Sequence, residues 1–411
     1  MEECIALVGY GVDTLIINVR YSDSKGQPVK HELDDRLVQE LDYLQGEARR
    51  IETAVATDWA FQDVLLFVEP HGAGKQWRWL LTSRLLNVCV SRGRFNDVIA
   101  QVRFSSEFLW SQAWCGDALT TVHSFLMSIF GECIHLQISE VHLCADMVGY
   151  DFSQCDYETQ FVTRVRKNEA FYGADSVSLD CHRVSTLAFS KHRSPLSGSI
   201  YNKTLEIKQK SGKTWFYDLW RKGVQGLHGG VWDGESDVWR VEFRFKREFL
   251  HQVAIEWAYD LLDELQRLWE YAAGSVGGGD DGLPDGWLRY VVPGEDRNRS
   301  RWSVHPAWVV VQAAFTEDVD NELGSLVRKR IREKNLERGI ASTIGYVSTL
   351  AAWLGGEYVS QDTDVSLVLH WLAEVGPEYL ESKQRDFLLE VRKKQKRYGN
   401  TQSDVDTEVV S

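Results

Sequence analysis

Residues 12–21 read VDTLIINVRY, an alternation of apolar and polar positions with the two-residue period of a strand. A polar stretch of helical character, KHELDDRLVQELDYLQGEARRIE, follows it. Four short runs rich in Val, Leu, Ile and aromatics come next: DVLLFVEP, QWRWLLTS, LNVCVSRG and DVIAQVRFSS. Gly, Asn and Ser turns separate them, so each predicts a strand. Residues 117–131, DALTTVHSFLMSIFG, predict an amphipathic helix ended by Gly131. Strand character returns at VHLCADMVGYD, and three further strands are predicted at VSTLAFSK, GSIYNKTLEI and VWRVEFRFK.

Residues 247–273, REFLHQVAIEWAYDLLDELQRLWEYAA, have the three-and-four apolar spacing of one long amphipathic helix. GSVGGGDDGLPDG at 274–286 has the composition of a flexible linker. The patterns beyond it are mostly helical. The chain therefore divides into a first region at 1–273, a linker at 274–300, a helical region at 301–398 and a disordered tail at 399–411. Strands, a helix, more strands and then helices, without steady βα alternation, predict an α+β fold. Its central sheet is largely antiparallel and flanked by helices, with a C-terminal helical domain.

Composition narrows the function classes. At 411 residues, 44% hydrophobic and 26% charged, the chain has the make-up of a folded protein with room for two or three domains. A net charge of −14 argues against a whole-molecule, nonspecific polyanion binder. Two local basic stretches, RKRIREK at 328–334 and RKKQKR at 392–397, read equally as solvated helix faces or as DNA contacts. Sixteen tryptophans serve a core or stack on bases. Seven cysteines without a C-x-x-C pair, and no signal-like start, predict reduced thiols and a cytoplasmic location. No apolar run approaches the roughly 20 residues that span a bilayer, so no membrane partner is expected. HGAGK at 71–75 lacks the spacing of a phosphate loop and reads as a turn.

Three segments place ionisable groups on one side of an otherwise apolar strand. In VHLCADM the alternation puts His142, Cys144 and Asp146 opposite Val141, Leu143, Ala145 and Met147. In VWRVEFRFK it puts Arg240, Glu242, Arg244 and Lys246 opposite Trp239, Val241, Phe243 and Phe245. In SIYNK, Tyr201 and Lys203 share a face, but Leu205 then breaks the parity, which a switch to turn or helix near Thr204 would resolve. Half-solvated antiparallel strands carrying salt bridges give the same pattern. The chemistry on offer is nonetheless coherent. Carboxylates and a histidine suit Mg²⁺ or Mn²⁺, and a tyrosine beside a cation can be helped toward phenolate for attack on a phosphodiester.

VHLCAD at 141–146, SIYNKTLE at 199–206 and WRVEFRFK at 239–246 together resemble the Rep_trans family. This family comprises rolling-circle replication initiators of staphylococcal-type plasmids and related relaxases of integrative conjugative elements. Its patterns are R-I-D-L-A-x-D, R-x-Y-x-K-x-x-E and W-R-(V/I)-E-x-x-x-K, in that order, and the likeness covers roughly residues 135–250, with VDTLIINV at 12–19 a weaker N-terminal match. The resemblance implies that region 1–273 is a nicking domain and region 301–398 a DNA-binding or accessory domain. Tyr201 would nick one DNA strand and hold it as a 5′-phosphotyrosine, with Lys203 and Arg240 at the reacting phosphate. Asp146, Glu206, Glu242 and His142 would be the metal positions for Mg²⁺ or Mn²⁺. Lys191, Arg193, Arg244 and Lys246 would meet DNA.

The implied partners are origin DNA, single-stranded or cruciform at the nick site, a host helicase, and in a homodimer a second copy. Two positions depart from the pattern: His142 stands where the family has its first aspartate, and Ser199 where a basic residue is usual. The His-hydrophobic-His signature of the other large nickase class is absent. Two alternatives share the scaffold: a non-catalytic DNA-binding protein, and a metal-dependent nuclease using an activated water.

Overall fold

The computed structural model describes residues 4–23, 29, 32–91, 98–111, 115–165, 168–173, 183–279, 285–316, 336–359, 364–383, 386–388 and 391. Both basic stretches and the C-terminal tail fall outside them. The fold is α+β. Its strands are β1 (Ala6–Tyr21), β2 (Val55–Phe61), β3 (Val64–Val68), β4 (Trp79–Thr82), β5 (Leu86–Val90), β6 (Val98–Phe104), β7 (Ile134–Val148), β8 (Phe161–Thr163), β9 (Asn168–Gly173), β10 (Arg183–Phe189), β11 (Leu196–Asn202), β12 (Trp239–Lys246) and β13 (Leu288–Tyr290). Eleven of them form one sheet in the order β2-β3-β4-β5-β6-β1-β7-β12-β11-β10-β9, while β8 and β13 pair separately. Every strand pairing is antiparallel.

The helices are α1 (Asp35–Ile51), α2 (Ser106–Ser111), α3 (Cys115–Phe130), α4 (Lys203–Glu206), α5 (Trp215–Lys222), α6 (Arg247–Gln252), α7 (Leu265–Ala273), α8 (Pro306–Gln312), α9 (Leu336–Leu354) and α10 (Val365–Ser382). Among the described residues, no helix is long and apolar enough to cross a membrane.

The two longest strands, β1 and β7, pair in the middle of the sheet. On β7 the apolar side, Val141, Leu143, Ala145 and Met147, is fully buried in the main core. The opposite side is also shut off from water, since His142 is 7% exposed and Cys144 and Asp146 are 0% exposed. The polar stripe therefore does not behave as a solvated sheet face, where its charges would be hydrated. Its polar groups must be satisfied within the protein.

The long helix expected over 247–273 is interrupted. α6 stops at Gln252, Ala254 takes a left-handed φ of 64°, and α7 begins only at Leu265. The intervening backbone turns to the edge of β7, where Ala258 N–H donates to the Leu136 carbonyl and Ile138 N–H to the Glu256 carbonyl. Pairing with the sheet has overridden the local helical pattern.

The chain divides into two compact units at 328/329, rather than at 274–300. The Gly-rich run opens a loop that Asp285 fastens, its carboxylate accepting from Ser275 N–H at 2.8 Å. After that loop, β13 pairs with β8, and Trp308 and Val311 of α8 are fully buried. Trp308 Nε1 donates to the Ala273 carbonyl at 2.8 Å and Trp269 Nε1 to the Val311 carbonyl at 2.9 Å. Composition signalled a flexible connection there, but aromatic burial on either side of it ties both flanks into one core. In the second unit α9 and α10 pack together around Val347 and Val368.

Candidate active site

β11, β12 and β7 are adjacent, and their register sets the polar positions of the three segments side by side. Tyr201 pairs with Arg240, which pairs with Asp146. One row along, Ser199 pairs with Glu242 and Glu242 with Cys144; in the next, Ser197 pairs with Arg244 and Arg244 with His142. Because cross-strand Cβ atoms lie only about 5 Å apart, these side chains are forced into contact. Of these, Tyr201, Glu242, Arg244 and His142 line part of an open cleft of about 700 Å³.

Tyr201 is half-buried on the cleft wall, and its hydroxyl donates to Glu242 Oε2 at 2.9 Å. Glu242 is 3% exposed. Its other oxygen accepts from His142 Nδ1 at 3.0 Å and from Arg244 Nε at 3.2 Å. His142 Nε2 reaches Glu140 Oε1 at 2.7 Å, which completes a chain running Tyr201–Glu242–His142–Glu140. Burial alone would lift the Glu242 carboxyl. The hydrogen bond and charge of His142, with Arg244 and Arg240, instead hold it well below the usual carboxylate range. Burial would lower the His142 imidazole, but hydrogen bonds to Glu140 and Glu242 raise it above its ordinary value. The imidazolium has a carboxylate on each ring nitrogen. For Tyr201, burial and the facing Glu242 charge both act upward and keep the phenol protonated well above 10.

Arg240 is fully buried and is held from three directions. Its Nε and Nη2 bond the two Asp146 oxygens at 2.6 and 2.8 Å, and Nη1 reaches Asp13 Oδ1 at 2.7 Å. Its guanidinium also lies over the Phe216 ring, 4.5 Å from the centroid. Asp146 additionally accepts from Trp220 Nε1 at 2.8 Å, so both its oxygens are taken. Arg240 is the cross-strand neighbour of Tyr201 on one side and of Asp146 on the other. Cys144 is buried with its Sγ against the Gly11 carbonyl at 3.6 Å, and burial raises its thiol far above the ordinary value.

The parity break at Leu205 has a structural cause. β11 ends at Asn202, whose side chain accepts from Leu205 N–H at 2.8 Å and so caps the turn of helix α4 that begins at Lys203. Lys203, 3% exposed, leaves the strand face. Its ammonium pairs with Glu206 at 2.7 Å and lies 5.0 Å from the Phe216 ring centroid and 5.7 Å from that of Tyr201. Glu206 also accepts from Ser211 Oγ at 3.1 Å.

The basic residues expected at DNA occupy one corner. Lys191 and Arg193 are exposed in the β10–β11 turn, and Lys246 Nζ donates to the His192 carbonyl of that turn at 2.5 Å. Arg244 is half-buried on the cleft wall.

The four residues expected to hold Mg²⁺ or Mn²⁺ do not converge. Asp146 is spent on Arg240 and Trp220, Glu206 on Lys203 and Ser211, and both His142 nitrogens face carboxylates. Among the described residues, no group of three or more His, Cys, Asp or Glu side chains is placed to hold a metal ion. This arrangement of the quartet does not fit a divalent cation. The physical reason is that Arg240, Lys203 and Arg244 already neutralise those carboxylates.

Sequence reading missed Asp13, Glu140, Lys213, Trp215 and Trp220. Glu140 has the parity of His142 and was recoverable by extending the strand upstream. Asp13 is a lone carboxylate in an apolar run, at a register shift of β1 between Val12 and Thr14. The α5 residues carried no local signal linking them to the site.

No family model matches the chain, and no curated protein matches it in sequence. Among solved structures it is similar to the rolling circle replication initiator protein from Geobacillus stearothermophilus, with a TM-score of 0.41 and 13% identity, over 79% of this chain and 99% of that one.

Proposed function

We propose that the chain is a DNA strand-transferring endonuclease that initiates replication or transfer of a plasmid or integrative element, with Tyr201 as its nucleophile. The observation that carries this reading is the Tyr201–Glu242 hydrogen bond, set in a cleft that also holds cations. The sequence resemblance supports it independently of the geometry, and it alone supports the host helicase and the homodimer.

In this reading Glu242 Oε2 accepts the phenolic proton as the Tyr201 oxygen bonds to phosphorus. A carboxylate as acidic as Glu242 does not deprotonate a resting phenol. The proton moves as O–P bonding makes the phenol acidic, so transfer and attack are concerted. The P–O3′ bond breaks, its electron pair leaves with the 3′-oxygen, and that oxygen takes a proton from solvent. The strand is held as a 5′-phosphotyrosine, which conserves the bond for later attack by a 3′-hydroxyl. His142 and Arg244 keep Glu242 ionised, and Arg240, braced between Asp146 and Asp13, fixes the strand row that carries the nucleophile.

The resting phenol, held far from ionisation, favours a second reading in which Tyr201 is a structural donor in a non-catalytic DNA-binding protein. Incubation with supercoiled origin plasmid, followed by a denaturing gel, separates the two. A covalent adduct lost in Tyr201→Phe is expected. No adduct in the wild type, or nicking retained by the variant, overturns the proposal.

A further inference from the structure

Two of the four lysines and arginines lining the cleft already have a carboxylate. Lys203 is paired with Glu206, and Arg244 with Glu242. Lys213 differs. Gly212, with a left-handed φ of 63°, turns the chain out of the helical stretch before it. Lys213 Nζ then donates to Ser106 Oγ of α2 at 2.6 Å, and among the described residues it makes no ion pair. The nearby Asp13 carboxylate is bonded to Arg240 instead. Arg103, which also makes no ion pair among the described residues, is exposed by comparison. Lys213 is half-buried, and that burial lowers its ammonium from the ordinary value. The Asp13 and Glu206 carboxylates act on it from a distance, but its only direct hydrogen-bond partner among the described residues is a hydroxyl, and such a partly desolvated cation is stabilised by an arriving anion.

Two residues on, Trp215 lines the same cleft. Its ring stacks on Phe216 with centroids 3.8 Å apart and planes 24° apart, and the residue remains half-exposed. Trp220, one turn further along α5, is by contrast fully buried with its Nε1 on Asp146. An indole backed by a second ring and open on the cleft side is a rigid platform for another flat group. The cleft wall thus presents a cation without an ion pair among the described residues and a supported aromatic face within one short segment, in the cleft that Tyr201 also lines.

Resting on the nicking reading, we infer that Lys213 and Trp215 form a nucleotide subsite for single-stranded DNA in the same cleft as the nucleophile. The ammonium takes a backbone phosphate and the indole stacks on a base. An unpaired strand is required, because in a duplex both faces of each base are covered by its neighbours.

The test uses the full chain carrying Tyr201→Phe, so that binding is read without chemistry, and a fluorescently labelled oligodeoxythymidylate strand as probe. Lys213→Gln is expected to weaken binding and reduce the slope of log K against log salt by about 0.7, the effect of one lost phosphate contact on a single strand. Trp215→Ala is expected to weaken binding about 10-fold. Trp215→Phe should retain most of it, and the far-ultraviolet circular dichroism of all variants should match. A fully paired duplex of the same length should bind more weakly than the single strand. Equal affinity and salt slope for Lys213→Gln, no loss in Trp215→Ala, equal duplex binding, or no measurable binding of the oligonucleotide overturns the subsite. Failure of the nicking reading shows separately, as oligonucleotide binding that depends on both residues while wild-type Tyr201 forms no adduct.

Discussion

Tyr201 donates to Glu242 at 2.9 Å, and the same carboxylate accepts from His142 and Arg244. Removing the hydroxyl takes away one of three donors and leaves the other two. Tyr201→Phe is therefore expected to cost about 1 kcal/mol of stability, the net value of one such hydrogen bond. It should abolish the covalent DNA adduct completely. Thermal melts alongside denaturing gels measure both, and a melt that collapses with the adduct would make the loss uninformative about chemistry.

Glu242 is the more consequential member of the pair for folding. In Glu242→Gln the His142 and Arg244 cations lose their shared counter-charge, at an expected cost of about 3 kcal/mol. Adduct formation should fall by about 100-fold or more as the proton acceptor disappears. An adduct rate within a few-fold of wild type would remove Glu242 from the reaction.

The same chain sets a pH signature. The Glu242 carboxyl is lowered on folding, so its stabilisation is present above the ordinary carboxylate range and is lost as pH falls through the folded value. Glu256, lowered to about 2 against burial by Arg247 and His251, adds to that acid limb. The His142 imidazole is raised between Glu140 and Glu242 despite burial and Arg244. Its stabilisation is complete below about 6.5, the unfolded value, and is lost as pH rises through the folded one. Melting temperature should fall on the alkaline side, and His142→Gln should flatten that fall. Identical alkaline profiles for both proteins would mean the bridge contributes nothing.

Asp146 orients Arg240. Asp146→Asn leaves the fully buried guanidinium short of a charge, with an expected cost of about 3 kcal/mol. The defect should be the same at every Mn²⁺ or Mg²⁺ concentration. Selective recovery of nicking by one of these ions would return Asp146 to the role of ligand.

The unit boundary is open to direct test by truncation. A chain ending at Arg328 keeps β13 and α8, and should unfold cooperatively with a wild-type near-ultraviolet spectrum. A chain ending at Ala273 exposes the surface that Trp308 and Val311 cover, and should lose that spectrum. Equal stability of the two fragments would place the boundary before the loop.

The polar stripes on β7 and β12 were legible because a strand inside a core keeps a strict two-residue alternation, and any charge in it stands out. That Arg240 meets Asp146, and Tyr201 meets Glu242, was not, since pairing joins positions 94 and 41 residues apart. β2 escaped notice because a register shift between Ala56 and Ala60 spoils its alternation. The helix over 247–273 failed for the opposite reason: its local pattern is good, and the edge of β7 competes for its backbone.

The ion pair between Asp13 and Arg240 joins residues 227 positions apart. Such a contact needs loop closure across most of the first unit, so the site draws on residues from both ends of that unit. A nascent or broken chain that stops before β12 carries Tyr201 without Arg240 or Glu242 beside it. The fold thereby ties assembly of this cleft to completion of the first unit, and unfinished molecules carry the tyrosine without its carboxylate partner.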